Sequence, residues 1–188
     1  MWEAFNTEFA PHLAHTPRWE AFQLIADKLR SIDAPVQIVE TGTLRSAGNW
    51  AGDGQSTALF GWITEQCGGS ITTIDISEHN LAVAKRVAPH AITICADSVV
   101  ALRQLERPQD IDLLYLDSFD LEEGIESPTH QLAEIAAIYP RLKSGCIIAS
   151  DDCFDEHNYG KHVLTKAYLQ AVGAETLHES QIYVWQKP

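Results

Sequence analysis

Apolar and polar positions follow two rhythms along this chain. From residue 35 onward, short runs rich in apolar and β-branched residues (VQIV, ITTIDI, AITICA, IDLLYL, CIIAS) alternate with stretches whose apolar residues recur every three to four positions. The runs predict strands at Val36–Glu40, Ser70–Ile76, Ala91–Ala96, Ile111–Asp117 and Cys146–Ser150, apolar throughout as sheet buried on both faces requires. Between them, Leu59, Ile63 and Cys67 share one helical face, as do Leu132, Ile135, Ala136 and Tyr139. Ser56, Ser77 and Ser127 stand where N-caps belong, the last followed by Pro128, and Gly68-Gly69 and Gly173 supply left-handed stops. Upstream, Thr16-Pro17 opens a helix whose Trp19, Phe22, Ile25, Ala26 and Leu29 form one apolar stripe. The end of the chain changes character. After a helix over Lys161–Val172, segments Ala174–Glu179 and Gln181–Gln186 are separated by Ser180 alone, and so direct a reversal demands antiparallel pairing. The order predicts an α/β fold with a mostly parallel sheet, helices on both faces and an antiparallel C-terminal hairpin.

Length and composition narrow this further. The 188 residues suffice for one full core, so a single domain is expected, with an N-terminal helical segment (1–34) ahead of the α/β core (35–188). Whether residues 1–16 cover the site or reach a second copy of the chain is open, and so is a homodimer. No apolar run approaches the ~20 residues a membrane span needs. The opening MWEAFNTEFAPHLAH has no basic stretch followed by an apolar one, so a cytoplasmic setting away from membranes is expected. Cys67, Cys95, Cys146 and Cys153 show no zinc-type spacing, and two lie inside apolar runs, as reduced thiols do. A net charge of −13 repels polyphosphate. Nucleic acid is therefore an unsuitable partner and a small molecule a suitable one.

The chemistry gathers at the strand ends. In open α/β sheets ligands bind beyond the carboxyl ends of the strands, and each predicted strand here ends in acid: Glu40, Asp75, Asp97, Asp117 and Asp151-Asp152. After the first strand, Gly42 and Gly54 permit turns that a Cβ would obstruct, and Ser56 heads a helix whose free N–H groups favour an anion. Asp75 falls about twenty residues after Gly54, where an acid accepts ribose hydroxyls. Asp97-Ser98 is placed to meet an adenine edge. Gly52-x-Gly54 with Asp75 partly imitates a nicotinamide-dinucleotide fingerprint, but Thr57 replaces the third glycine and no second nucleotide-binding half follows. An NAD-dependent oxidoreductase and a non-catalytic nucleotide-binding protein are the alternatives to an enzyme built on these ends.

On these residues the chain resembles the class I, Rossmann-like S-adenosylmethionine (SAM)-dependent methyltransferases, from about Val36 to Trp185. Glu40-Thr-Gly42 is similar to the start of that family's first motif, Asp75 to its ribose acid, Asp97-Ser98 to its adenine contact, and LLYLDSFD to its fourth motif. LKSGCIIASDD resembles its fifth strand, and the terminal hairpin its reversed last strand. The resemblance implies a seven-stranded sheet and methyl transfer from SAM, with Glu40, Gly42, Thr43, Gly54, Ser56, Asp75, Ile76, Asp97, Ser98 and Asp117 at the cofactor. A narrower resemblance, to metal-dependent O-methyltransferases of the catechol and sugar- or antibiotic-tailoring type, implies a hydroxyl acceptor. It also implies Mg²⁺ or Ca²⁺ on Asp117, Asp151 and Asp152, hard oxygen donors suited to such ions. Those enzymes carry a lysine base three residues after the fourth-strand Asp, where this chain has Asp120. Asp117, Asp120 and a histidine of the segment after strand five, His157 or His162, are then the candidates for proton transfer. In VETGTLRSAGNWAGDGQST, Glu40–Thr43 and Gly54–Thr57 read as two halves of one cofactor loop opened by an insertion from Leu44 to Asp53. Arg45 and Trp50 of that insertion, with Phe119, are the expected acceptor contacts.

Overall fold

In the computed structural model, which describes residues 2–122, 124–154 and 159–188, all five apolar runs become strands of one sheet. The strands are β1 (Gln37–Thr41), β2 (Ser70–Asp75), β3 (Ile92–Cys95), β4 (Leu113–Leu116), β5 (Ile147–Ser150), β6 (Cys153–Phe154), β7 (Tyr159–Gly160), β8 (Glu175–His178) and β9 (Tyr183–Gln186). Seven of them form a sheet ordered β3-β2-β1-β4-β5-β9-β8, while β6 and β7 pair separately. The first five are mutually parallel, and β9 runs antiparallel to both β5 and β8. Both the predicted fold class and its reversed terminal hairpin are present. A dinucleotide-dehydrogenase sheet would continue into a second parallel half instead.

The helices are α1 (Trp2–Leu13), α2 (Trp19–Arg30), α3 (Ser56–Cys67), α4 (Glu78–Val87), α5 (Ser98–Gln104), α6 (Glu126–Ile138) and α7 (Val163–Ala171). Side chains alternate across a strand, so each strand feeds two cores. Ile38, Leu113, Tyr115 and Ala149 pack with α1, α2 and α3. Val39, Leu114, Leu116 and Ile148 pack with α5, α6 and α7 on the opposite face. The predicted stripe of α2 fills the first core, where Phe22 and Phe60 flank Tyr115 with ring centroids 6.1 and 5.0 Å from it. Truncating such a side chain to alanine costs ~3–5 kcal/mol.

Residues 2–13 form α1 within the expected N-terminal helical segment, and its Phe5 and Phe9 pack on Trp62 of α3. Two expected caps are corrected. Ser56 is the first residue of α3 and does not cap it, because Gln55 takes the cap position in a left-handed conformation (φ 58°). Likewise α6 starts one residue before Ser127, which is buried inside it. Ser77 does cap α4, accepting from the Asn80 N–H. Among the described residues no helix is long and apolar enough to cross a membrane.

The sheet order makes β1 the pivot: the chain leaves it toward β2 and β3, then crosses back to β4 and β5. Ligand sites form at such a switch point, and here the loops after β1 and β4 touch. Gly42 (φ 74°) lies where an added Cβ would stand 2.5 Å from the Asp117 carbonyl oxygen. Only glycine allows the two loops to close to this distance.

Candidate functional site

A cavity of about 450 Å³ opens at these strand ends. One half is lined by Gly42 and Thr43 after β1, Asp75 and Ile76 after β2, Asn80 of α4, and Asp97 and Ser98 after β3. Asp75 ties this half together, accepting from the Thr43 N–H at 3.2 Å and the Ser77 N–H at 2.7 Å. Asp97 caps α5 through the Val100 N–H at 3.0 Å. Ser98 lies 2.9 Å from Nε2 of His130, a cavity residue on α6 that the sequence pattern did not single out.

Glu40 and Ser56, expected at the cofactor, do not line this cavity. The Glu40 carboxylate is fully buried and accepts from the hydroxyls of Ser56 (2.6 Å), Thr57 (2.7 Å) and Thr73 (2.8 Å). Burial pushes its pKa up to about 7 against the pull of these three hydroxyl donors. The cluster belongs to the packing of β1, α3 and β2, and the hydroxyl of Ser56 is spent on it. Gly54 (φ 63°) also lies behind the cavity wall, beside Arg18.

The two halves of the glycine-bearing loop do meet. Thr43 Oγ1 lies 2.9 Å from Thr57 Oγ1, and the Leu44 N–H donates to the same Thr57 oxygen at 3.2 Å. The insertion between them is stapled to itself. Asp53 accepts from the N–H groups of Arg45 and Ser46, and Gln55 exchanges hydrogen bonds with Gly48 and Ser46. From this loop Arg45, Gly52 and Asp53 face the cavity, and Arg45 reaches across its mouth to Asp120 at 2.9 Å. Phe119 faces the cavity too, 45% exposed. Trp50 does not: its ring stacks on His12 of α1 at 4.5 Å and packs against Phe9. The expected acceptor contact is instead the seat of the N-terminal helix.

At the other end of the cavity stand Asp117 and Asp152, with Asp151 behind them. Arg18, just ahead of α2, donates through Nε to both oxygens of Asp151 at 2.9 Å and through Nη2 to Asp152 Oδ1 at 3.2 Å. The Tyr115 hydroxyl donates to Asp151 Oδ2 at 2.8 Å. Lys161, between β7 and α7, donates to Asp117 Oδ1 at 2.8 Å and to Asp152 Oδ2 at 3.0 Å. Both cations are sunk into the protein, their side chains 12% and 3% exposed. Their neighbouring carboxylates raise the pKa of each above its ordinary value despite burial, so both stay charged. Gly160 brings Lys161 in: at φ 140° its Cβ position lies 2.6 Å from the Asp152 carbonyl oxygen. Asp152 (φ 57°) and Phe119 (φ 60°) are themselves left-handed non-glycine residues, the local strain that concentrates at functional sites.

This arrangement does not fit the divalent ion that the narrower resemblance implies. Mg²⁺ and Ca²⁺ take six or more oxygen ligands. Five of the six carboxylate oxygens of Asp117, Asp151 and Asp152 already accept from Arg18, Lys161 or Tyr115. Among the described residues no group of three His, Cys, Asp or Glu side chains is placed to hold a metal. The sixth oxygen, Asp117 Oδ2, has no hydrogen-bond partner among the described residues and belongs to a side chain 24% exposed at the cavity. Burial raises the Asp117 pKa to about 7, with Lys161 opposing and Asp151 and Asp152 adding to the rise. Of the other base candidates, Asp120 sits 75% exposed at the mouth in its pair with Arg45. His162 is buried and stacked on Tyr183, and His157 lies outside the described residues.

The family described as a methyltransferase domain matches residues 50–153, more than half of the chain. The chain belongs to this family. No curated protein matches it. Its fold is that of solved methyltransferases of several kinds. CalS11, a TDP-rhamnose 3'-O-methyltransferase of calicheamicin biosynthesis, matches at 19% identity with a TM-score of 0.60, over 88% of this chain and 77% of that one. The N-methyltransferase NodS from Bradyrhizobium japonicum WM9, in complex with S-adenosyl-L-homocysteine (SAH), matches at 13% identity with a TM-score of 0.55, over 100% and 98%. An rRNA methylase from Streptococcus thermophilus matches at 16% identity with a TM-score of 0.54, over 87% and 94%. The methyltransferase fold is thus shared by an O-methyltransferase, an N-methyltransferase and an rRNA methylase, and the acceptor must be argued from this chain's own site.

Proposed function

We propose that this methyltransferase-domain protein transfers a methyl group from SAM to a hydroxyl of a small-molecule acceptor, with Asp117 as general base. The observation that carries the reading is Asp117 Oδ2, an oxygen with no hydrogen-bond partner among the described residues on a side chain that lines the cavity, while the other five oxygens of the acid cluster are engaged. An alcohol needs such a group. As its oxygen attacks the sulfonium methyl, the C–O bond forms and the C–S bond breaks. The hydroxyl proton must leave to a base within reach, here Asp117 Oδ2, and SAH departs. A carboxylate with a pKa near neutrality is matched to that task.

The cofactor half of the cavity suits SAM. Asp75 offers acceptors at the height of a ribose, Ile76 is an apolar surface for the adenine, and Asp97, Ser98 and His130 supply polar groups around it. The sulfonium charge would face Asp117 and Asp152. A small acceptor, in place of a nucleic acid, is supported by the net charge of −13. Arg45 and Phe119 at the mouth are then the acceptor contacts.

Calorimetric titration with SAH, followed by transfer of labelled methyl from SAM into a small-metabolite extract, tests this. We expect saturable heat and a labelled methyl ether. No heat with SAH would overturn cofactor binding, and label appearing on an amine would overturn the hydroxyl assignment.

A further inference from the structure

The acid cluster at the ends of β4 and β5 is the kind of site that elsewhere asks for a divalent cation, yet its charges are already answered from within the chain. Asp117, Asp151 and Asp152 bring three negative charges, and Arg18 and Lys161 bring two positive ones. One divalent ion would leave the same residual charge. The geometry is also that of a bridging cation. Lys161 Nζ joins Asp117 to Asp152, Arg18 joins Asp152 to Asp151, and no carboxylate is left without a cation. An added ion would have to displace these contacts or stand beside two buried positive charges, and in this low-dielectric setting the repulsion is large.

We infer that Arg18 and Lys161 occupy the role of a metal ion in this site, so that the protein binds no Mg²⁺ or Ca²⁺ at Asp117, Asp151 and Asp152. Both are positioning residues. Lys161 has three N–H donors, and three acceptors surround it: Asp117 Oδ1, Asp152 Oδ2 and the Asp117 carbonyl oxygen at 3.3 Å. With its protons committed it neither accepts the acceptor's proton nor reaches toward substrate. It holds Asp117 by one oxygen, and the other has no hydrogen-bond partner among the described residues. The position three residues beyond Asp117 is Asp120, while a lysine returns to the same carboxylate from 44 residues downstream. This inference concerns the charge arrangement alone, so it stands or falls separately from SAM binding and from the identity of the acceptor.

Metal binding itself is the test. Protein stripped with EDTA is titrated with MgCl₂, CaCl₂ and MnCl₂ by calorimetry, and Mn²⁺ is followed in parallel by electron paramagnetic resonance. We expect the wild type to give no saturable heat and an unaltered free-Mn²⁺ spectrum up to millimolar metal. Lys161→Ala, which vacates the position between Asp117 and Asp152, is expected to gain saturable Ca²⁺ and Mn²⁺ binding. Lys161→Arg is expected to remain silent. Saturable binding by the wild type that Asp117→Asn abolishes would overturn the inference. So would a folded Lys161→Ala that stays silent, because the lysine would then not occupy an ion's place. Should Lys161→Ala fail the circular-dichroism check for folding, Lys161→Gln takes its place under the same criteria. If neither folds, the wild-type titration decides alone: silence supports the inference and binding overturns it.

Discussion

Glu40 and Asp117 end neighbouring strands of the same sheet, and burial raises the pKa of both to about 7. What surrounds them differs. Glu40 accepts from three neutral hydroxyls and has no access to the cavity. Asp117 is tied to a buried lysine by one oxygen, and its side chain, 24% exposed, lines the cavity. A shifted carboxylate alone therefore does not mark a catalytic group. The proposed base differs from Glu40 in lining the cavity with an oxygen that has no partner among the described residues, whereas Glu40 is enclosed by β1, α3 and β2.

The largest effect expected on the fold comes from removing the cation beside Asp117. Lys161→Met should lower unfolding free energy by roughly 3–5 kcal/mol in a denaturant titration, because it leaves the Asp117 carboxylate without its cation. A loss no larger than that of an exposed lysine would break the distinction between the two acids.

Next comes the pH dependence of stability, to which both raised acids contribute with the same sign and from which a variant isolates the share of Glu40. Its folded pKa lies above its unfolded one, so its contribution is fully present below about 4.5 and is lost as pH rises through about 7. Glu40→Gln, which mimics the protonated acid, should flatten that loss by on the order of 3 kcal/mol. The variant should approach or exceed the wild type at pH 8 while trailing it at pH 5. Equal slopes in the two proteins would show that Glu40 is not held neutral.

The rate should respond to the other acid. A base must be deprotonated, so kcat/KM is expected to rise with pH through about 7, the value to which burial pushes Asp117, and to level above it. A rate independent of pH from 5 to 8 would remove Asp117 from the role of base. The smallest effect belongs to Trp50, whose ring serves α1. Trp50→Ala is expected to lower the melting temperature and leave acceptor KM within about twofold, since Trp50 makes no part of the cavity wall. A large rise in KM would return it to the acceptor site.

Most of the fold was legible in the pattern of the chain, for a physical reason. Strands buried on both faces must be continuously apolar, and VQIV, LLYL and IIAS fall within two residues of where the periodicity places them. The acids at the strand ends were legible because the chain direction fixes which end of each run faces the ligand. Partners distant in sequence were not. Arg18 and Asp151 are 133 positions apart, and Lys161 and Asp117 are 44 apart. Nothing local marks either cation, so the acids looked unneutralised and invited an ion. Ser56 misled in a related way. As a serine ahead of an apolar helix it reads as a cap, but its hydroxyl is taken by Glu40 from the neighbouring strand. Trp50 was read as an acceptor contact because its partners in α1, Phe9 and His12, lie some forty positions upstream.

The most direct test compares the two carboxylates in one assay. Wild type, Asp117→Asn and Glu40→Gln, each stripped with EDTA and shown to bind SAH, are assayed for transfer of labelled methyl from SAM to a small-metabolite extract at pH 8. Asp117→Asn is expected to lose ~10²- to 10⁴-fold in rate, with Glu40→Gln staying within a few-fold of the wild type. If both variants fall alike, or if Asp117→Asn transfers label at the wild-type rate, Asp117 is not the base of this site.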